Sequence, residues 1–190
     1  KHFSFNGSSN YVEVPDNSAW NVIAGTSWSI NLWIYSNTWG AAGNSTVIYG
    51  RSADNSLTGG ENYLAYNNNS TGLAWGAINN QVFTNVTLNT GQWYHIGIVY
   101  DASAARAYFY VNGILRADIA VTSVGASSGP LRFAHGYNAI YFKGLIDEVR
   151  IYNNRAPSAN EINAHYYRRK YSIVNPDPYN LTTLGLEEAG

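Results

Sequence analysis

Short runs in which apolar and polar positions alternate dominate the chain, separated by clusters of Asn, Gly and Ser. From Trp28 to Tyr35 (WSINLWIY), Trp28, Ile30, Leu32 and Ile34 point one way and Ser29, Asn31, Trp33 and Tyr35 the other. A period of two is what an extended strand produces, because successive side chains leave opposite faces of a sheet. Trp93 to Tyr100 (WYHIGIVY) repeats it, setting Tyr94, Ile96, Ile98 and Tyr100 against Trp93, His95, Gly97 and Val99. Ala105–Val111 and Ile114–Ala117 flank Asn112-Gly113, a pair that accepts positive φ at both turn positions and marks a hairpin. In its first arm Ala107, Phe109 and Val111 alternate with Tyr108 and Tyr110. Further strands are predicted at Phe3–Phe5, Tyr11–Val14, Val47–Arg51, Tyr63–Asn67, Leu73–Ile78, Leu131–Ala134 and Leu145–Tyr152. The run from Phe142 to Tyr152 reads as a central strand. Strands at this spacing, with turn chemistry between them, describe a β-sandwich or barrel.

One helix is predicted. Ser158-Ala-Asn-Glu161 is a capping box, in which the serine accepts from the helix start and the glutamate reaches back. Pro157 precedes it, Ile162, Ala164 and His165/Tyr166 form the stripe to be buried, and Arg168, Arg169 and Lys170 fall in the last turn. Residues 171–190 hold two prolines and few large apolar groups, which divides the chain into a sandwich at 1–170 and a tail or linker at 171–190.

Composition changes the picture by exclusion. The 190 residues suit one domain, and 11 Lys+Arg against 12 Asp+Glu leave a net charge of -1, without the basic surface that nucleic-acid binding requires. No apolar run approaches the roughly 20 residues of a membrane span, and no targeting segment is visible. The chain starts at Lys1 and lacks Met, so it reads as a mature product or an excised domain. Absence of Cys removes disulfides, thiolate zinc sites and cysteine nucleophiles but leaves the redox compartment open. With only 12% charged residues and many amides and phenols, the surface leans toward an extracellular setting.

Several segments together carry a resemblance: FNGSSNYVEVPD at Phe5–Asp16, SWSINLWIY at Ser27–Tyr35, GQWYHIGIVYD at Gly91–Asp101, AYFYVNG at Ala107–Gly113 and FKGLIDEVRIYNNRAPSANEI at Phe142–Ile162. Residues 3 to 167 resemble the laminin-G-like, concanavalin A-like lectin/glucanase group. The resemblance implies an all-β, two-sheet antiparallel jelly-roll sandwich with one curved, concave sheet and one short C-terminal helix. It also implies extracytoplasmic use and sugar or protein ligands. Such a scaffold hosts binding modules, adhesion domains, glycoside hydrolases and lyases, so activity must be argued from the site.

Glycoside hydrolysis needs two carboxyl groups about 5 to 9 Å apart. The Glu-x-Asp-x-(x)-Glu strand of this fold's glucanases is missing, and Asp147-Glu148, as strand neighbours, face opposite sides unless a bulge intervenes. A lyase would assemble His95, Tyr108, Tyr110 and Arg150, but the lyase strand motifs are lacking. His2, His95, His135 and His165 have no Gly-x-Ser-x-Gly elbow to serve. His95 stands where the resembled family commonly has His, which implies a structural, hydrogen-bonded role.

The aromatic residues favour sugar binding, because pyranose C–H faces stack on rings while hydroxyls need planar amide or carboxylate partners. With Ile30, Leu32, Ile96, Ile98, Phe109 and Val111 facing the core, Trp33, Tyr35, His95, Tyr108 and Tyr110 share the opposite face, joined by Glu148 and Arg150. Either this stripe is open to a ligand, or loops and the 171–190 tail cover it as a second small core. A second set lies in the 36–80 region: Trp39 on a loop with an exposed ring, Tyr63, Trp75 and the amides Asn67–Asn69. Trp20 and Trp28 are assigned to the core. Calcium is common in the resembled family, and Glu61 or Asn62 would be its ligand here. No Asp-x-Asp-x-Asp-Gly loop is present, and no ligand set is assigned. Asn-x-Ser/Thr sequons begin at Asn6, Asn44, Asn68, Asn69, Asn85 and Asn180.

The expected function is therefore a non-catalytic extracellular carbohydrate-binding or adhesion module whose partner is a glycan or glycoprotein. A structural subunit of a cell-surface, filament or virion layer, self-associating through the tail, is the alternative. A polysaccharide-active enzyme comes third.

Overall fold

The alternating segments build two stacked antiparallel sheets. The computed structural model describes residues 2–20, 25–40, 45–51, 62–67, 72–77, 80–121, 128–136 and 140–174. One sheet contains β1 (Phe3–Asn6), β3 (Trp28–Thr38), β8 (Trp93–Asp101), β9 (Arg106–Val111), β10 (Ile114–Ala120) and β12 (Lys143–Asn153), in the order β1-β12-β3-β8-β9-β10. The other contains β2 (Val12–Val14), β4 (Ser45–Arg51), β5 (Asn62–Asn67), β6 (Gly72–Ala77), β7 (Asn80–Phe83) and β11 (Leu131–Phe133), in the order β2-β11-β4-β5-β6-β7. This is the two-sheet jelly-roll sandwich that the patterning and the resemblance imply. The short strand β7 is an addition, because Asn80-Gln-Val-Phe83 carries too little alternation to announce itself.

The period-two assignment holds across both long strands. Trp28, Ile30, Leu32 and Ile34 of β3 and Ile96 and Ile98 of β8 are buried between the sheets with Phe109, Leu64, Leu73 and Trp75. Trp28 and Trp75 stack nearly parallel, 6.4 Å apart, at the centre of that core. The β9–β10 hairpin turns at Asn112 and Gly113 with φ of 54° and 76°, the left-handed pair that a two-residue hairpin turn requires.

Helix α1 (Ala159–Val174) starts at the predicted capping box: the Glu161 carboxylate accepts from the Ser158 N–H at 2.9 Å, and Ser158 Oγ accepts from the Glu161 N–H at 3.3 Å. The box sits in solvent, so Ser158→Ala should cost about 1 kcal/mol in a urea melt. The helix runs past the expected boundary at residue 170, so Arg168, Arg169 and Lys170 lie inside it rather than in its last turn. Lys170 Nζ instead lies over the Tyr166 and Tyr167 rings, at 5.4 and 5.7 Å. Residues 175–190, most of the expected tail, lie outside the described residues.

Candidate functional site

The face of the first sheet that looks away from the other sheet gathers most of the predicted site residues. Strand register places Trp33 opposite His95 and Tyr35 opposite Trp93 between β3 and β8, and Gly97 opposite Tyr110 between β8 and β9. Parity is as the sequence indicates. The stripe, however, is largely covered. Helix α1 lies across it: Ile162, fully buried, packs with Val99 and Tyr110, and Tyr108 and Ala156 close the margin. Tyr166 stacks on Trp33 with ring centres 5.7 Å apart and planes 21° from parallel. Trp33, His95 and Tyr110 are therefore buried, which corrects the expectation of an open row of rings. The second alternative, a small core beneath a covering segment, describes this part of the face. The cover is α1 itself, because a helix with a capped start and an inward Ile162 docks where Gly97 leaves room for the Ile162 side chain; a Cβ on Gly97 would stand 2.9 Å from Asn31 Oδ1 and 3.2 Å from Ile162 Cγ2.

Polar groups are sealed in with these rings. Among the described residues, Ser29 Oγ, both amide atoms of Asn31, Trp33 Nε1, both ring nitrogens of His95 and Nδ1 of His165 have no hydrogen-bond partner. His95 is thus structural in position but not hydrogen-bonded through its ring; its backbone is engaged with Asn112, the His95 N–H donating to Asn112 Oδ1 at 2.9 Å and the His95 carbonyl accepting from the Asn112 N–H at 2.8 Å. Burial, with the nearby His165 and Arg150, lowers the His95 pKa from 6.5 to about 3. Burial and then Arg150 lower that of His165 as well.

Along β12 the register slips between Asp147, opposite Trp33, and Arg150, opposite Asn31. Two residues, Glu148 and Val149, there face the single Leu32, and Glu148 takes φ 50°. This β-bulge is the exception that strand parity allows, and it turns Glu148 toward Arg150 on the same face. The Glu148 carboxylate accepts from Arg150 Nη2, while Asp147 Oδ1 accepts from the Glu148 N–H at 2.9 Å. These carboxylates stabilise the bulge and the guanidinium.

The open part of the face is the next row. Tyr35 and Trp93 are both half-buried, 5.7 Å apart and inclined at 57°, and exposed His2 lies 6.1 Å from Trp93. Of the predicted stripe, Tyr35 and, at the margin, Tyr108 keep partial access to solvent, as does Arg150 in its ion pair. Trp93 was not among the predicted site residues. Its parity with His95 and its place opposite Tyr35 were readable in the strand pattern, but as the first residue of its strand it reads equally as an anchor.

The three rings of the 36–80 set, all among the described residues, do not gather at a loop tip. Trp39 is buried, its Nε1 donating to the Leu88 carbonyl at 2.8 Å and its ring 4.1 Å from that of Tyr66. Trp75 is fully buried in the central core. Tyr63 lies buried on the outer face of the second sheet, its ring flat over Gly76, where a Cβ would clash at 2.0 Å, in a cluster with Val47, Ala65 and Ile140. Each ring found an apolar or backbone neighbour that a linear reading of the segment does not show. Asn67 closes β5, whereas Asn68 and Asn69 lie outside the described residues. Asn62 faces the core rather than the rim: its Oδ1 accepts from Tyr49 Oη at 2.8 Å and Trp75 Nε1 at 2.7 Å. That oxygen is committed and does not fit a calcium ligand, and Glu61 lies outside the described residues. Among the described residues no three of His, Asp and Glu cluster as metal ligands would, and no helix is long and apolar enough to cross a membrane.

Residues 6–163 match the profile of a family described as the concanavalin A-like lectin/glucanases superfamily. No curated protein matches the chain. Among solved structures it is similar to domain 4 of AbnA, a GH43 extracellular arabinanase from Geobacillus stearothermophilus, in complex with arabinotriose. That likeness has 19% identity and a TM-score of 0.64 over 86% of this chain and 75% of the other. The ligand-binding domain of botulinum neurotoxin serotype D, in complex with N-acetylneuraminic acid, shares 17% identity at a TM-score of 0.67 over 87% of this chain and 42% of its own. Trypanosoma rangeli sialidase, in complex with the inhibitor DANA, shares 13% identity at 0.63 over 89% of this chain and 28% of its own. At these identities the likeness establishes the common fold.

Proposed function

The chain belongs to the concanavalin A-like lectin/glucanase superfamily, and from that premise we propose that it is a non-catalytic carbohydrate-binding module acting outside the cell. One observation carries the reading: Tyr35 and Trp93 stand side by side, half-buried, on a sheet face whose neighbouring rings Trp33 and Tyr110 lie beneath α1. Rings held at their base by a rigid strand pair, with an outer surface left to solvent, form a preorganised platform for the apolar face of a sugar ring. Exposed His2 beside Trp93 and the phenol of Tyr35 supply polar edges for hydroxyl groups. The extracellular setting is supported by the low charge and by the arabinanase domain, which belongs to an extracellular enzyme. The non-catalytic reading is supported by the occupation of Glu148 by Arg150 and of Asp147 by the bulge amide.

Retention on a panel of immobilised and soluble polysaccharides tests this. Binding to at least one glycan is expected, with Trp93→Ala weakening it at least tenfold, about 1.4 kcal/mol, and Tyr35→Ala somewhat less. Binding that survives both substitutions removes the platform from the account, and reducing-end release from any glycan of the panel would make the protein an enzyme.

A further inference from the structure

The sealed portion of the same face has the composition of a binding site rather than of a core. Asn31 and His95 are each more than nine-tenths buried, and the two amide atoms and two ring nitrogens have no partner among the described residues. Trp33 Nε1 shares that condition. An interface selected only to hold a helix would place aliphatic side chains here, since each unmatched buried polar group opposes burial. Over residues 159–168 of α1, Ile162 is the only buried aliphatic side chain, and the residue that covers the polar end is Tyr166. Its ring lies nearly parallel on the Trp33 indole, the arrangement a sugar ring adopts on a tryptophan. Trp33 is also the next outward-facing residue before Tyr35 on β3, about 7 Å along the strand. Trp33, Tyr35 and Trp93 are therefore one continuous platform, of which α1 hides one end.

We propose that the face beneath α1 is a second, covered part of the sugar-binding platform, in which the Tyr166 ring stands in for a sugar residue on Trp33 and a longer glycan chain displaces α1 from it. The inference rests on the reading of Tyr35 and Trp93 as a sugar platform. Displacement starts at Tyr166, where the polar groups are unmatched, and leaves the apolar contacts of Ile162 near the helix start as the hinge side. Once α1 moves, Asn31 and His95 present an amide and an imidazole beside the exposed indole, the partners that hydroxyl groups need.

The experiment uses the full chain with linear arabinan-, xylan-, cellulose- and chitin-derived oligosaccharides of two and six residues. For the sugar type that binds, Tyr166→Ala should raise hexasaccharide affinity at least tenfold and leave disaccharide affinity within twofold. Adding Trp33→Ala should cancel the gain. In the wild-type protein, saturating hexasaccharide should speed amide exchange of His165–Lys170 at least tenfold, whereas the disaccharide should not. The exchange measurement decides the matter alone if Tyr166→Ala fails to fold. Unchanged or slower exchange in α1 with bound hexasaccharide overturns the proposal and leaves the open platform standing, provided Trp93→Ala still weakens binding at least tenfold. A wild-type protein that binds none of these sugars or the wider polysaccharide panel overturns both readings.

Discussion

Acidification from pH 7 to pH 4 is expected to cost the fold about 3 kcal/mol through His95 alone. Its imidazole is buried beneath α1, with His165 and Arg150 close enough to disfavour a second positive charge, and its pKa falls from 6.5 to about 3. The folded state therefore holds the ring neutral over a range in which the unfolded chain protonates it. Because the unfolded state binds the extra proton, stability is complete above pH 6.5 and declines as pH drops toward 3. His165 and His135, both lowered chiefly by burial, act in the same direction. The groups facing His95 offer little relief: His165 and Arg150 oppose its protonation, the Trp33 and Tyr166 rings carry no charge, and Glu148 is already paired with Arg150. Urea unfolding at steps between pH 7.5 and 4 measures the effect. His95→Gln, which keeps a polar neutral side chain, should flatten most of the slope. A wild-type stability that stays level over this range would contradict the burial of a neutral His95.

The second large effect is expected in the core. Asn62→Leu should destabilise the protein by about 2–6 kcal/mol, because two buried donors, Tyr49 Oη and Trp75 Nε1, lose their shared acceptor at once and each unmatched group costs about 1–3 kcal/mol. Leucine keeps the branched outline of asparagine and is the larger of the two, so no cavity opens; crowding acts in the same direction as the lost pairing, and a double-mutant cycle separates the two. Tyr49 cannot escape by ionising, since burial pushes its phenol pKa well above 10. A double-mutant cycle with Trp75→Phe isolates the pair: the added cost of Trp75→Phe should be smaller in the Asn62→Leu background than in the wild type. Full additivity, or an Asn62→Leu protein as stable as its parent, would mean that this acceptor is not holding the sheet's interior together.

Both predictions concern residues whose roles the linear pattern presents differently. Asn62 opens a strand and sits next to an acidic residue, so it reads as a rim ligand. Parity within β5 puts it on the same side as Leu64 and Tyr66, where it becomes a core acceptor. Trp39, among small residues, reads as a loop ornament, yet its indole fills the space beside Tyr66 and Phe142. In each case a partner distant in sequence decided the outcome, Leu88 for Trp39 and Trp75 for Asn62.

What the sequence determined by itself is what depends on neighbours within a few residues. Period-two alternation set the strands and their buried faces, Asn112-Gly113 set the hairpin, and Ser158 with Glu161 set the helix start, because each is a local backbone preference. Even the face shared by Trp33, Tyr35, His95, Tyr108 and Tyr110 was legible, since parity follows from strand geometry alone. Tertiary structure decided which of those residues meet solvent. Burial is a property of surfaces brought together, and α1, which begins at Ala159, far along the chain from β9, settles on Trp33, His95 and Tyr110 while sparing Tyr35 and Trp93. The bulge at Glu148 is likewise a product of pairing with β3, where two residues must share the space opposite one. Alternation assigns a side chain to a face; only packing against distant segments determines whether that face stays open.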